Sequence, residues 1–425
     1  MTITKTSDYE KQKWVLLGIL LFIIPFPVLA FGFAWYLMIK APSKKEGYTF
    51  YIYSMFILAY CYEFSESSNV DLVRYFKQLE HIEGMTLSKA SAYFNDGLVT
   101  EHVLFWIIAQ LQMPHLLPAI TTATVFGVGT YITYDSASIE QRKNCWKILL
   151  VQLVMIPFFT VVANVRNVFA FSIVILAVYR DLVKSKRNLP TLILYLLAIF
   201  MHKTGIILFV LRILVPVFKR AYLLTVLLIF SLPVIIKFAY SHIYLVTFGG
   251  NLGKTARRLI SSSYNYLLGT EGSGNLAEYA QRLESSTGAT VNRYIIMAFM
   301  LGLFALYLIK YIKTKDMSNF QIYGVLLCAL TLACNVIDAP IYWRFAAAAC
   351  LVLAPVFYDF FDYQLFNPKT TNNIWVLIIM FLILRFAVQS YRSREIFTSP
   401  IAVNILITNA YTIMYQFIYS VFVYL

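Results

Sequence analysis

Residues 148–178 read ILLVQLVMIPFFTVVANVRNVFAFSIVILAV. Two strongly apolar runs, Ile148–Ala163 and Val168–Val178, are joined by Val165-Arg166-Asn167. A charged side chain next to hydrocarbon costs several kcal/mol if it is unpaired. It is tolerated where it faces a polar cavity or a ligand. The pattern recurs at Leu189–Met201, an apolar run that ends in His202-Lys203-Thr204. These stretches set the fold class, a bundle of apolar helices in a membrane. They also place Arg166 and His202 near one face of it.

The rest of the chain agrees. Of its 425 residues 60% are hydrophobic and 13% charged, with a mean hydropathy of +0.69, a balance foreign to a soluble domain of this size. Apolar runs near the ~20 residues needed to cross a bilayer fall near 14–39, 48–65, 115–134, 147–163, 167–182, 189–202, 204–218, 221–240, 292–312, 320–337, 344–361, 373–391 and 402–424. Residues 99–113 add a shorter one. The expectation is a single all-α, polytopic transmembrane domain over 1–425 with roughly 12–14 spans. A β-barrel would show short alternating segments instead. The first run is too long for a signal-peptide core and lacks a small-x-small cleavage site, so it reads as retained. The five cysteines have neither zinc spacing nor a disulfide framework and read as packing residues. Most of the 31 Tyr and 34 Phe read as lipid-facing and interfacial packing.

The net charge of +14 does not point to nucleic acid. Much of it lies in short loops: Lys40/Lys44/Lys45, Arg142/Lys143/Lys147, Lys184/Lys186/Arg187, Lys219/Arg220 and Lys310/Lys313/Lys315. Basic residues in short loops mark the cytoplasmic side, where anionic headgroups add attraction. Arg166, His202, Asp338-Ala339-Pro340 and Arg392-Ser393-Arg394 then fall outside, with two large outer loops at 66–98 and 241–291. Alternation also requires that 99–113, ended by Met113-Pro114-His115, dip in and return or lie at the interface rather than cross. Loop 241–291 is rich in Gly and Ser, reads as mobile, and carries Lys254/Arg257/Arg258 against the positive-inside rule.

No phosphate-binding glycine loop, zinc-protease helix or serine-hydrolase elbow is present. What remains is a set of cations, one histidine and a few carboxylates on the outer face. Guanidinium stays charged and matches phosphate oxygens with paired hydrogen bonds, so Arg166, Arg344 and Arg74 are candidate diphosphate ligands. The competing readings are snorkelling for Arg166, an ion pair with Asp338 for Arg344, and a surface pair for Asp71 with Arg74, which share a helical face three residues apart. His202 titrates in the range of proton transfer. Asp71 and Glu101 are candidate bases, and Tyr75, Asn167 and Asp338 candidate sugar or acceptor contacts. Arg212 and Arg385 also lie within apolar runs. The small residues Ala346–Ala349 after Arg344 let helices approach closely.

In order and spacing, these elements resemble the EpsG/Wzy-type polysaccharide polymerases over most of the chain, most densely from about 66 to 210. The elements are Asp71…Tyr75 with Arg74 inside it, Glu101 opening a short apolar stretch, and Arg166-Asn167 at a helix start. His202-Lys203-Thr204-Gly205 at a helix end and Arg344-Phe345-Ala346 complete the set. The chain departs from the family pattern at His102 (usually Pro), Asn167 (usually Gln) and Thr204 (usually Ser). The resemblance implies a GT-C-like integral membrane glycosyltransferase of the bacterial cytoplasmic membrane, working on its outer face. It implies transfer of undecaprenyl-diphosphate-linked oligosaccharide repeats onto the non-reducing end of another lipid-linked repeat. It requires no cofactor and no metal, and its expected partners are a chain-length regulator and a flippase. Arg166 and Arg344, with Arg74, would hold the departing diphosphate; His202, Asp71 or Glu101 would take the acceptor proton. A ligase of the O-antigen type, or a flippase or exporter, is the alternative. A flippase should show pseudo-repeated halves and charges through both leaflets, whereas these residues cluster on one face.

Overall fold

The computed structural model describes residues 26–62, 71–94, 96–221, 287–314, 316–336 and 342–392, with scattered positions in 227–238 and 413–419. Among the described residues all regular structure is helical, as expected of an all-α polytopic membrane protein. The helices are α1 (Pro27–Lys40), α2 (Glu46–Tyr60), α3 (Asp71–Ile82), α4 (Leu87–Phe94), α5 (Val99–Gln110), α6 (Leu116–Asp135), α7 (Cys145–Met155) and α8 (Phe158–Ala163). They continue with α9 (Val165–Leu182), α10 (Leu189–Met201), α11 (Gly205–Arg220), α12 (Thr287–Thr314), α13 (Asn319–Val336), α14 (Tyr342–Leu351), α15 (Ala354–Phe361) and α16 (Pro368–Arg392).

Helices thus stand on nearly every apolar run, but many are shorter than the run. Within the described residues three are long and apolar enough to cross a membrane, at Leu116–Asp135, Thr290–Thr314 and Pro368–Ser390. A fourth crossing results if α14 and α15, bent by 57°, form one span. The expected run 147–163 is divided because Pro157 cannot continue α7, and Asn164 then breaks the backbone again before α9 (φ −117°, ψ 50°). The 13 residues of α10 reach only about 20 Å, short of a ~30 Å hydrocarbon layer. The same holds for α5, whose 12 residues end at Gln110, two residues before Gln112 takes φ 53°. The segment expected as an outer loop at 66–98 carries two short helices, α3 and α4. The expected spans 221–240 and 402–424 and loop 241–291 lie wholly or mostly outside the described residues, as does much of 14–39.

Two cores organise these helices. The larger joins α1, α2, α6, α7 and α9 to α13–α15; here Phe171 stacks on Phe345 with centroids 5.6 Å apart. Ala346–Ala349 are all buried, and α14 packs closely on α9 and α13, as its small residues suggest. The smaller core is built by α3, α4 and α5 over the start of α6 and the α8–α9 break, with Leu72, Tyr75, Leu79, Phe105, Leu117, Val162 and Val165. All five cysteines are buried, in keeping with packing roles.

The basic loops gather at one end of the bundle. Tyr134 Oη donates to Ser43 O at 2.7 Å, and the Arg142 guanidinium lies 4.4 Å over the Tyr134 ring. Lys184 pairs with Asp135 at 2.6 Å, Gln141 donates to Asp362 at 2.6 Å, and Lys310 pairs with Asp359 at 3.2 Å. The α3–α5 cap stands at the opposite end of α6, where Phe76 meets His115. Arg212, half-buried in an apolar run, is neutralised by Asp181, which also takes Arg187 at 2.8 Å.

Where α6, α7 and α14 cross, a Cβ on Gly129 would stand 2.8 Å from Gln152 Oε1 and 3.0 Å from Leu351 Cδ2. Gly129→Val should therefore lower the thermal midpoint of the detergent-solubilised protein, by about 1–3 kcal/mol of overpacking. Gly32→Val, with nothing within 4 Å of its Cβ position, should leave the midpoint nearly unchanged.

Candidate active site

Arg166 occupies the first turn of α9 because Asn164 ends the previous helix and Val165 restarts the chain. The unsatisfied N–H groups of that turn already make the locality positive. The guanidinium is fixed from two sides. Arg166 Nη1 donates to Glu101 Oε1 at 2.7 Å, and Arg166 Nε donates to Tyr75 Oη at 2.8 Å. Glu101 is buried, its side chain 1% exposed, whereas Arg166 keeps 22% exposure. Arg166 Nη2 has no partner among the described residues.

Tyr75 carries a second cation. Arg74 Nη2 reaches Tyr75 Oη at 3.4 Å, and the Arg74 and Arg166 guanidinium carbons lie 5.2 and 5.0 Å from the ring centroid. Phe105 packs edge-on beneath the ring at 5.5 Å. Cation–π attraction of this kind contributes about 0.5–2 kcal/mol per contact. Asp71 pairs with Arg74 at 3.0 Å on the outer face of α3. Asp71–Arg74–Tyr75–Arg166–Glu101 is therefore one connected network drawn from α3, α5 and α9.

His202 ends α10 in extended conformation and lies in the turn before α11, outside both helices. Gly205 allows that turn: a Cβ there would sit 3.0 Å from Ala198 O. His202 Nδ1 lies 2.6 Å from Thr204 Oγ1 and accepts from Thr204 N at 3.3 Å. A backbone N–H can only donate, so the neutral ring carries its proton on Nε2. Burial first, then the positive charges of Arg166, Arg344 and Lys203, hold the ring well below its ordinary pKa. That dependence also places Arg166, Arg344 and His202 in one neighbourhood. Arg344 opens α14, its guanidinium 5.2 Å from the Trp343 ring, next to the Phe345 that stacks on α9.

Of the residues singled out by sequence, Asp71, Arg74, Tyr75, Glu101 and Arg166 are thus directly linked, and His202 and Arg344 stand beside them. Asn167 is buried in the first turn of α9. Asp338 lies outside the described residues. A further polar group gathers around Arg385, which the sequence marked as a charge within an apolar run without giving it a role. Arg385, 2% exposed within α16, meets Gln389, whose amide oxygen comes to 2.7 and 3.1 Å from the guanidinium when turned toward it. Gln389 also contacts Asn292 at 2.9 Å, and Arg293 Nε donates to Asn335 Oδ1 at 3.3 Å. The guanidinium in the middle of an apolar run and Gln389, four residues on in the same helix, were both in view; the link to Asn292, on a helix remote in sequence, was not.

Glu101→Ala would leave Arg166 partly buried without its anion and should destabilise the protein by about 3 kcal/mol. Glu101→Gln, which keeps a hydrogen bond, should cost less; denaturation of both variants in one detergent measures the difference. Acid should act through His202. Its folded pKa is depressed below the ordinary 6.5, so the unfolded chain binds the extra proton first. The neutral ring's contribution is present above pH 6.5 and is lost as pH falls below it. A thermal midpoint followed from pH 7.5 to 5 should decline, and His202→Asn should flatten that decline.

The comparisons agree with this architecture. No match was found among curated proteins or among solved structures. The model of the EpsG family matches residues 48–403, a range that takes in the whole network around Arg166 together with His202 and Arg344, and this chain belongs to the EpsG family.

Proposed function

We propose that this membrane protein is a polysaccharide polymerase that transfers oligosaccharide repeats from an undecaprenyl diphosphate to the non-reducing end of another lipid-linked repeat. Family membership supports a glycosyltransferase-like role in polysaccharide biosynthesis in general terms. The observation that carries the finer reading is the convergence of Arg166, Arg74, Arg344 and neutral His202 at the end of the bundle opposite the basic loops. By the positive-inside rule that end faces outward, which favours the outer face of the bacterial cytoplasmic membrane.

In this reading the donor's diphosphate is the leaving group, and its developing charge is the main barrier. Arg166 meets it with Nη2, which has no partner among the described residues, while Arg344 and Arg74 supply further positive charge. His202, neutral with its proton on Nε2, donates a hydrogen bond to a phosphate oxygen. That differs from the proton-accepting role its sequence position suggested, because Nδ1 is already engaged by Thr204. Glu101, buried and paired, holds Arg166 in place rather than acting as base, and Tyr75 spaces the two guanidiniums instead of touching sugar. Asp71, with its side chain 32% exposed, is the accessible carboxylate of the network and takes the proton from the acceptor hydroxyl. The bond from the anomeric carbon to the diphosphate breaks, and the acceptor oxygen forms the new glycosidic bond. Asn167 supports the first turn of α9, and Asp338 remains a candidate acceptor contact. No metal enters this scheme, since the cations are supplied by arginine. A chain-length regulator and a flippase are the partners that such a reaction would need in the cell.

Purified protein incubated with synthetic lipid-diphosphate repeats should produce a ladder of lengthened products. Arg166→Ala should reduce the rate about 10²–10³-fold, the usual loss on removing a charge-stabilising donor. Arg166→Lys should recover little of it, because an ammonium lacks the paired geometry. Full activity in Arg166→Ala would end the reading.

A further inference from the structure

Next to Glu101 on α5, His102 turns to a different set of partners. His102 Nε2 lies 2.7 Å from Asp96 Oδ1, and His102 Nδ1 lies 3.0 Å from Ser91 Oγ. The carboxylate can only accept from Nε2 when that nitrogen carries a proton, which leaves Nδ1 as acceptor for the Ser91 hydroxyl. Asp96 is fixed in turn by the backbone N–H of Leu98 at 3.0 Å. The imidazole is 3% exposed and stacked on Phe94, with centroids 4.9 Å apart and planes 16° off parallel. A hydroxyl, an oriented imidazole and a carboxylate in this order form the arrangement that activates a serine nucleophile.

The trio also opens on space. A cavity of about 430 Å³ lies between α4 and α5, lined by Leu87, Ser88 and Ser91 from one helix and Val99, His102 and Val103 from the other. Ser88 and Ser91 are three residues apart, and Val99, His102 and Val103 are spaced three and four apart, so each helix offers one face to it. The wall is mostly apolar, with hydroxyl and imidazole groups at one place, which suits the acyl part of an ester. Nothing in the network around Arg166 uses these residues.

We propose that Ser91, His102 and Asp96 form a second catalytic centre that cleaves a carboxylic ester. Ser91 Oγ attacks the ester carbonyl and its proton passes to His102 Nδ1. Asp96 holds the resulting imidazolium through Nε2–H. Ser88, one turn earlier on the same face, donates to the oxyanion. The bond to the alcohol breaks, and the alcohol departs with the proton from Nδ1. Water then attacks the acyl-serine by the same route, releasing a carboxylic acid and restoring the hydroxyl. No oxidant, reductant or metal is consumed.

The test uses the full chain in detergent or nanodiscs. A fluorophosphonate probe should label Ser91, identified by mass spectrometry, and p-nitrophenyl acetate or butyrate should be hydrolysed. Ser91→Ala should abolish both signals. Asp96→Asn should slow hydrolysis by about 10²-fold or more, and Ser88→Ala should lower kcat while labelling persists. Ser91→Ala is the deciding variant, since it removes only a hydroxyl oxygen, and its elution volume and thermal midpoint show that the fold is kept. An O-acetylated oligosaccharide and a diacyl phospholipid, offered separately, then distinguish a glycan ester from a lipid ester, and turnover of either supports the centre. Absence of Ser91 labelling, or hydrolysis unchanged in Ser91→Ala, would overturn it.

Discussion

The ion pair between Arg166 and Glu101 is the constraint around which the outer end of the molecule is arranged. A guanidinium at the edge of an apolar bundle has few stable solutions: it reaches water, it finds an anion, or it holds a ligand. Here it takes the second and leaves room for the third. Glu101 and Tyr75 occupy Nη1 and Nε, so the side chain is held without being used up. Because Glu101 is buried, the pair also joins α9, in the main bundle, to α5, in the cap. The cap can therefore not shift far from the bundle without exposing an unpaired carboxylate to an apolar core.

The same pair explains why the helices near it are short. A continuous span through residues 147–182 would carry Arg166 deep into hydrocarbon. The breaks at Pro157 and Asn164 instead start a new helix one residue before it. Arg166 thereby gains the positive end of α9 as a neighbour, an arrangement that suits a bound anion better than it suits the free protein. His202 follows a parallel logic. It ends one helix, lies before the start of another, and is kept neutral by burial first and then by the cations around it. Neutrality matters at such a site, since a further positive charge there would work against Arg166 and Arg344, while the neutral ring still donates from Nε2.

Hydrophobicity carried the reading of the fold, and it failed in a predictable way. Apolar composition reports which residues avoid water, so the helical class and the position of nearly every helix were legible. It does not report where a helix ends inside an apolar run. Pro157 marks the first break and Pro355, in the first turn of α15, marks the bend after α14, but Pro216 is carried inside α11, so a proline in an apolar run does not by itself say where a helix ends. The helices α3 and α4 were read as loop because their composition is polar, although Leu72, Tyr75, Leu79 and Ile82 recur on one face and build the second core.

The site was legible in its members and not in its connections. Arg166 and Glu101 could be picked out as charges at the edges of apolar runs, and Asp71, Arg74 and Tyr75 as an outer-loop element in the order that the family resemblance expects. That Tyr75 would stand between two guanidiniums depends on α3 folding back over the α8–α9 break, which no local pattern encodes. The distinction changes the chemistry assigned to each residue. A buried carboxylate bonded to arginine is a poor base, because losing its negative charge would strand the cation beside it. Asp71 is paired too, with Arg74 at 3.0 Å, but it keeps 32% exposure and its partner 56%. Protonating it therefore strands no buried cation, and in the proposed reaction the task of accepting a proton moves from Glu101 to Asp71. Sequence offers both as carboxylates of equal standing; only their burial separates the group that builds the site from the group that works in it.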